Sequence, residues 1–185
     1  MEIILASKSP RRRELLGSLG VEFKIIPAVG DEVLVEGLTP SEIAKSIAGA
    51  KADEIFAKYP DSAVIGADTI VVLDGEILQK PKDNDDEYNM LTKLSGREHT
   101  VFTGYALLTK ERKVYGVEGS TVVFNHLSEQ TKLAYVESGL GLDKAGGYGI
   151  QDGYDLVKEI KGSYNNIVGF PTEVFEKLLK EFNLK

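Results

Sequence analysis

Three features of this chain stand where ordinary folding does not ask for them. The first is Asp68, inside the run Ala63-Val64-Ile65-Gly66-Ala67-Asp68-Thr69-Ile70-Val71-Val72. A carboxylate in an apolar strand is unfavourable unless it is paired or binds a cation. Gly66 and Ala67 are expected to leave room beside it for a ligand; a strand-end acid held by backbone N–H groups is the plain alternative. The second is the basic turn Ser7-Lys8-Ser9-Pro10-Arg11-Arg12-Arg13, where a strand hands over to a helix. A helix N-terminus already presents free N–H groups and partial positive charge, so arginines there are misplaced for stability but well placed for an anion. Arg forks suit phosphate oxygens. Set against this is a merely solvated basic turn. The third is Lys51, which shares a helical stripe with Ile47, Ala48 and Ile55. An interior carboxylate or a phosphate explains a lysine there, and snorkelling to solvent competes.

Weaker signals accompany these. Asp31-Glu32 lies in a loop, and with Asp68 it offers hard oxygen ligands of the kind that hold Mg²⁺ or Mn²⁺. Lys80, in Gln79-Lys80-Pro81-Lys82, is a cation placed to meet a phosphate. Gly146-Gly147-Tyr148-Gly149-Ile150-Gln151 combines pliant backbone with a ring that suits stacking on a base and an amide that suits its edge. A glycine-rich turn around a packed tyrosine is the alternative there.

The elements that must position these residues follow from periodicity and punctuation. Glu2–Ala6 reads as a buried strand. Ser9-Pro10 reads as an N-cap and first helical residue, with Leu15, Leu16 and Leu19 on the apolar face and Gly20 at the end. Val21, Phe23 and Ile25 alternate as in a strand. Thr39-Pro40-Ser41-Glu42 is a capping box opening a helix to about Tyr59. Ala63–Leu73 and Glu76–Leu78 form a hairpin about Asp74-Gly75. A helix over Asp83–Ser95, strands over His99–Leu108 and Val114–Asn125, and a Ser128-capped helix follow. Leu156–Ile160 and Asn166–Val168 read as strands, and Pro171 opens a last amphipathic helix. The expected architecture is α/β, a single domain over residues 1–185 without a separable linker: a mixed sheet flanked by helices, as two lobes with a cleft.

Composition narrows the chemistry. With no cysteine, disulfides, thiolate metal sites and cysteine nucleophiles are excluded, and His99 and His126 are the whole imidazole supply. Any metal is then a hard cation on carboxylates. The net charge of −7 argues against a general nucleic-acid surface. The N-terminal residues lack a basic leader and an apolar core, no run is long enough to span a bilayer, and a cytoplasmic location is expected. The P-loop, G-x-G-x-x-G and G-x-S-x-G patterns are absent.

Taken in order, the motifs resemble the Maf family of nucleoside triphosphate pyrophosphatases over nearly the whole chain. Ser7-Lys8-Ser9-Pro10-Arg11-Arg12 with Glu14-Leu15-Leu16 is similar to the family's N-terminal signature. Gly66-Ala67-Asp68-Thr69, Asp74-Gly75-Glu76, Lys80-Pro81 and Leu94-Ser95-Gly96 resemble its centre. Asp143-Lys144-Ala145-Gly146 with Tyr148-Gly149-Ile150-Gln151 resembles the branch acting on dTTP and UTP, and Gly162-Ser163-Tyr164 with Val168-Gly169-Phe170-Pro171 its C-terminal motif. Gly147 stands where alanine is expected, and Phe170 where leucine is.

The resemblance implies an elongated fold related to inosine triphosphate pyrophosphatases, and a homodimer. It makes Asp68 the proton acceptor and places Glu32, Lys51 and Lys80 in the active site. It assigns base preference to Arg12, Thr69 and Gln151. The expected scheme has Glu32 and Asp68 holding Mg²⁺ or Mn²⁺. Arg11, Arg12, Lys51 and Lys80 neutralise the triphosphate, with Ser7, Ser9 and Lys144 also binding substrate, while water attacks the α-phosphorus. The competing expectations are a pyrophosphatase for another nucleotide, such as 7-methyl-GTP, and a non-catalytic regulator of cell division.

Overall fold

A computed structural model describes all 185 residues. It is a mixed α/β structure. Strands β1 (Ile3–Leu5), β2 (Lys24–Ile25), β3 (Ala63–Leu73), β4 (Glu76–Leu78), β5 (Glu98–Leu108), β6 (Lys113–Phe124) and β7 (Val157–Lys161) form a seven-stranded sheet. Its order is β2-β1-β3-β5-β6-β7, with β4 paired to β3. β1 is parallel to β2 and to β3, whereas β3–β4 and β6–β7 are antiparallel. The helices are α1 (Pro10–Ser18), α2 (Pro40–Lys58), α3 (Asn84–Leu94), α4 (Glu129–Ser138), α5 (Tyr164–Val168) and α6 (Thr172–Glu181).

The chain divides into two compact units. The first comprises Met1–Asp68, Thr103–Glu118 and Gly169–Lys185, and the second Thr69–Phe102 and Gly119–Val168. In the first, the two faces of β3 are both buried, as its place between β1 and β5 inside the sheet demands. Ala63, Ile65 and Ala67 pack with Leu16 of α1 and with Phe175, Leu178 and Leu179 of α6. Val64, on the opposite face, packs with Ala52 and Ile55 of α2. In the second unit, Val71, Leu91, Leu94, Phe124, Tyr135 and Tyr148 build a separate core.

Local signals account for most element ends. Ser9 caps α1, its side chain accepting from the Arg12 N–H. At α2 both halves of the capping box are made: Thr39 accepts from the Glu42 N–H, and the Glu42 carboxylate accepts from the Thr39 N–H at 2.8 Å. Two readings are corrected. The alternation from Val21 yields strand only at Lys24–Ile25. Asn166–Val168 is helical, because the Ser163 hydroxyl accepts from the Asn166 N–H (3.1 Å) and its carbonyl accepts from Ile167 (3.3 Å), which starts a turn of helix.

Gly66 does not leave space for a ligand, as its neighbourhood suggested. Its missing side chain admits α2. A Cβ on Gly66 would strike the Ala48 carbonyl and lie 2.9 Å from the Ala52 Cβ. Helix and strand therefore touch backbone to backbone there, which brings Lys51 down to the strand. Gly66→Ala should lower stability by about 1–3 kcal/mol through this overpacking. Urea denaturation at neutral pH measures it, and a change within error would mean that α2 yields without loss.

Candidate active site

Strand alternation puts Asp68 on the same face of β3 as Val64 and Gly66, the face that α2 covers. Asp68 is only 7% exposed. From α2, one helical step past Ala48, Lys51 extends to it, and its Nζ donates to Asp68 Oδ1 at 2.7 Å. The same ammonium lies 2.6 Å from Glu32 Oε1. The apolar stripe of α2 thus ends on an ion pair rather than in solvent.

Glu32 comes from the irregular segment 26–38, and Glu54 fastens that segment to α2. The Glu54 carboxylate accepts from the N–H groups of Val29 (3.1 Å) and Gly30 (2.9 Å), and these bonds, that of Gly30 foremost, hold it below the usual carboxylate range. A cavity of about 110 Å³ between this segment and α2 is lined by Glu32, Val33, Val35, Ile47 and Lys51 among others.

The basic turn supplies a second cation. Arg12 Nε donates to the Gly169 carbonyl at 3.0 Å and Nη1 to Ser7 Oγ at 3.3 Å, while Ser7 Oγ also accepts from the Ser9 N–H. Ser7 and Ser9 thus shape the turn: one anchors the guanidinium, the other caps the helix. Burial weighs against the charge of Arg12, and the nearby carboxylates of Asp68 and Glu32 offset it, while Arg11 adds to the burden. Asp68 mirrors this. Burial pushes its carboxyl above the ordinary range, Lys51 and then Arg12 pull it back, and Glu32 pushes it up again. Arg12, Glu32, Lys51 and Asp68 therefore form one electrostatic cluster within the first unit.

The two carboxylates suit a hard cation. Glu32 and Asp68 aim at one point from different elements, and their donors are oxygens of the type Mg²⁺ and Mn²⁺ prefer. No group of three or more acidic or imidazole side chains assembles into a complete cage. A cation held by these two carboxylates would need its remaining ligands from water or phosphate.

The remaining sequence candidates lie in the second unit. Thr69 follows Asp68 directly and is half-buried. Lys80 is exposed just after β4, and Gln151 is exposed in a short 3₁₀ turn. The glycine-rich turn is tied to the β4 end, where the Gly146 N–H donates to the Gln79 carbonyl at 3.1 Å. The Lys144 ammonium bonds the Leu140 carbonyl and lies 3.2 Å from Asp143 and 3.6 Å from Asp152.

Tyr148 is not a stacking platform. It is 5% exposed, its ring packs edge-on against Phe124 and His99, and its hydroxyl bonds His99 Nε2 at 2.6 Å. Burial depresses His99 to about 4, so the imidazole is neutral at neutral pH. The sequence reading also passed over two groups beneath the turn. Tyr135 donates to Asp152 at 2.7 Å and accepts from the Gly149 N–H at 2.9 Å. Glu87 is wholly buried on the stripe it shares with Leu91 and Leu94 of α3. Helical spacing, the signal that singled out Lys51, applies to Glu87 as well.

A profile of the Maf-like proteins matches residues 2–182. A dTTP/UTP pyrophosphatase of Clostridioides difficile is 47% identical over 186 residues, covering 98% of this chain and 95% of that protein. One from Bacillus velezensis is 44% identical over 99% and 97%. Among solved structures, the Ham1 protein of Staphylococcus aureus is 20% identical over 68% of this chain and 71% of that one, with a TM-score of 0.46.

The raised Asp68 pKa has a defined sign. Its contribution to stability is fully present below the unfolded value, about 3.9, and is lost as pH rises through the folded value. The stability of the native protein relative to Asp68→Asn should therefore fall across that window and level off above it, as read by denaturation at a series of pH values. In Lys51→Met the carboxyl should titrate higher still, because the leading favourable charge is gone; carboxyl NMR shifts that stay put would show that Lys51 does not govern it.

Proposed function

The chain belongs to the Maf family, and from that premise we propose that it hydrolyses dTTP and UTP to the monophosphate and pyrophosphate. The observation that carries this reading is the buried Asp68 carboxylate, bonded to Lys51 and neighboured by Glu32 and Arg12. The names of relatives at 44–47% identity over nearly the full chain supply the substrates.

On this reading the residues divide the work. Arg11, Arg12 and Lys80 hold phosphate oxygens, and Ser7 and Ser9 keep the basic turn in the shape that presents them. Lys51 balances the two acids before substrate enters, then shares its charge with the phosphates as negative charge builds on the leaving pyrophosphate. Asp68 orients a water and takes its proton as the oxygen bonds the α-phosphorus and the α–β bridging bond breaks. Its raised pKa suits a base better than an exposed carboxylate would. Glu32 and Asp68 would hold Mg²⁺ or Mn²⁺, which when bound supplies neutralisation of the triphosphate and a more acidic water. Thr69, Lys144 and Gln151 are assigned to the base. A cytoplasmic location and a homodimer belong to the same proposal.

Pyrophosphate release should be fastest with dTTP and UTP in a panel that includes CTP, GTP and 7-methyl-GTP, and should require Mg²⁺ or Mn²⁺. Asp68→Asn should lose about a hundredfold or more in kcat while its circular dichroism stays native. Tight binding of nucleotide without release would instead favour a regulator, and near-native turnover in Asp68→Asn would remove Asp68 from the chemistry.

A further inference from the structure

Helix α3 carries one acid on its buried face. Glu87 is 0% exposed, and neither carboxyl oxygen has a hydrogen-bond partner. The glycine-rich turn wraps it. Its Cγ lies against Gly147, beside Met90 and Pro81, and its Oε1 occupies the space a side chain on Gly141 would need. Lys144 stands at the middle of that turn. Its N–H donates to the Gly141 carbonyl at 3.1 Å and its carbonyl accepts from the Gly147 N–H at 3.0 Å. Both residues that grip the Lys144 backbone thus rest on Glu87.

The charges around Glu87 are few. From the turn, Lys144 faces it, with Asp143 and Asp152 behind, both already drawing on the Lys144 ammonium. From α4, the Tyr135 phenol feels Glu87 and bonds Asp152, and its proton is held on chiefly by burial. Lys132 of α4 is engaged with Glu129, Thr92 and the Tyr88 ring. Lys80 and Lys82 flank Pro81, and the Lys82 N–H is bonded to Asp86. Lys144 is the one cation that moderates Glu87, whose carboxyl burial raises to about 7.

We propose that Glu87 is the positioning residue for Lys144, a proton-dependent wedge inside the 141–147 turn. Protonated, it packs as a neutral side chain and leaves Lys144 with Asp143 and Asp152. Ionised, it competes with them for the ammonium and resets the turn that carries Lys144 and leads to Gln151. The consequence for substrate rests on the function proposed above: the turn that carries Lys144 and leads to Gln151 changes with the protonation of Glu87, so KM moves with it.

The test separates the two readings. The amide signals of Gly141, Lys144 and Gly147 are followed by NMR from about pH 5 to about pH 9, around the raised pKa. In the native protein they should titrate together near pH 7; in Glu87→Gln, a neutral isostere of the protonated form, that transition should vanish. In Lys144→Met the midpoint should rise, since the moderating cation is gone. The folded pKa lies above the unfolded one, about 4.3, so native stability relative to Glu87→Gln should fall as pH rises from there through about 7. With dTTP, the native KM should change several-fold through the same midpoint and become flat in Glu87→Gln. Amides that titrate alike in native protein and Glu87→Gln, or a midpoint that ignores Lys144→Met, would overturn the inference. A transition lost in Glu87→Gln with no turnover of any nucleotide would uphold it and count against the proposed function alone.

Discussion

A lysine ammonium shared by two carboxylates under helix α2 is the constraint around which the first unit is arranged. Taking Asp68 and Lys51 out of water is unfavourable by several kcal/mol apiece unless opposite charge and hydrogen bonds replace the lost hydration, whereas Glu32 stays exposed and reaches Lys51 from the solvent side. Here the set balances: Asp68 and Glu32 against Lys51 and Arg12, with Lys51 bonded to both acids and Arg12 anchored on a carbonyl and a serine. Each structural choice nearby serves that balance. The capping box sets where α2 begins, Gly66 lets it settle on β3, and Glu54 ties down the segment that delivers Glu32. An anionic substrate entering this cluster meets compensated charge, so its additional negative charge calls for the extra cations that the arginine turn supplies.

The second unit solves a different problem. A turn with several glycines has little stiffness of its own, and groups that must meet a ligand in fixed geometry need support from behind. That support is polar and dry: Tyr148 bonded to a neutral His99, and Tyr135 bonded to both Asp152 and the Gly149 N–H. The aromatic residue that composition marks as a stacking surface is therefore foundation, and of Lys144 and Gln151 it is Gln151 that is left exposed. Glu87 stands apart within this foundation as a buried acid neither of whose carboxyl oxygens has a hydrogen-bond partner.

Much of this was legible in the order of residues. Each helix but the short α5 was recognisable from caps, stripes and breakers, because those signals act within a few residues and need no tertiary context. Asp68 and Lys51 were each conspicuous for the same local reason: a charge at a position whose periodicity says buried. The misreadings share a cause. Ile167 and Val168 favour a strand by type, and one serine cap turned them into helix. The space at Gly66 was visible, but whether a ligand or a helix backbone fills it depends on an element many residues away. Tyr148 could face either way for the same reason.

Sequence alone thus determined which residues are unusual, which face of each element is apolar, and, through the ordered motifs, the family. Tertiary structure decided the partnerships: that Lys51 meets Asp68 and Glu32 together, that Arg12 leans on Gly169, that Tyr148 is bonded inward and that Glu87 lies beneath Lys144. Periodicity is a property of neighbours along the chain, whereas an ion pair or a buried hydrogen bond is made between elements whose approach is set by packing, and no local pattern carries that distance.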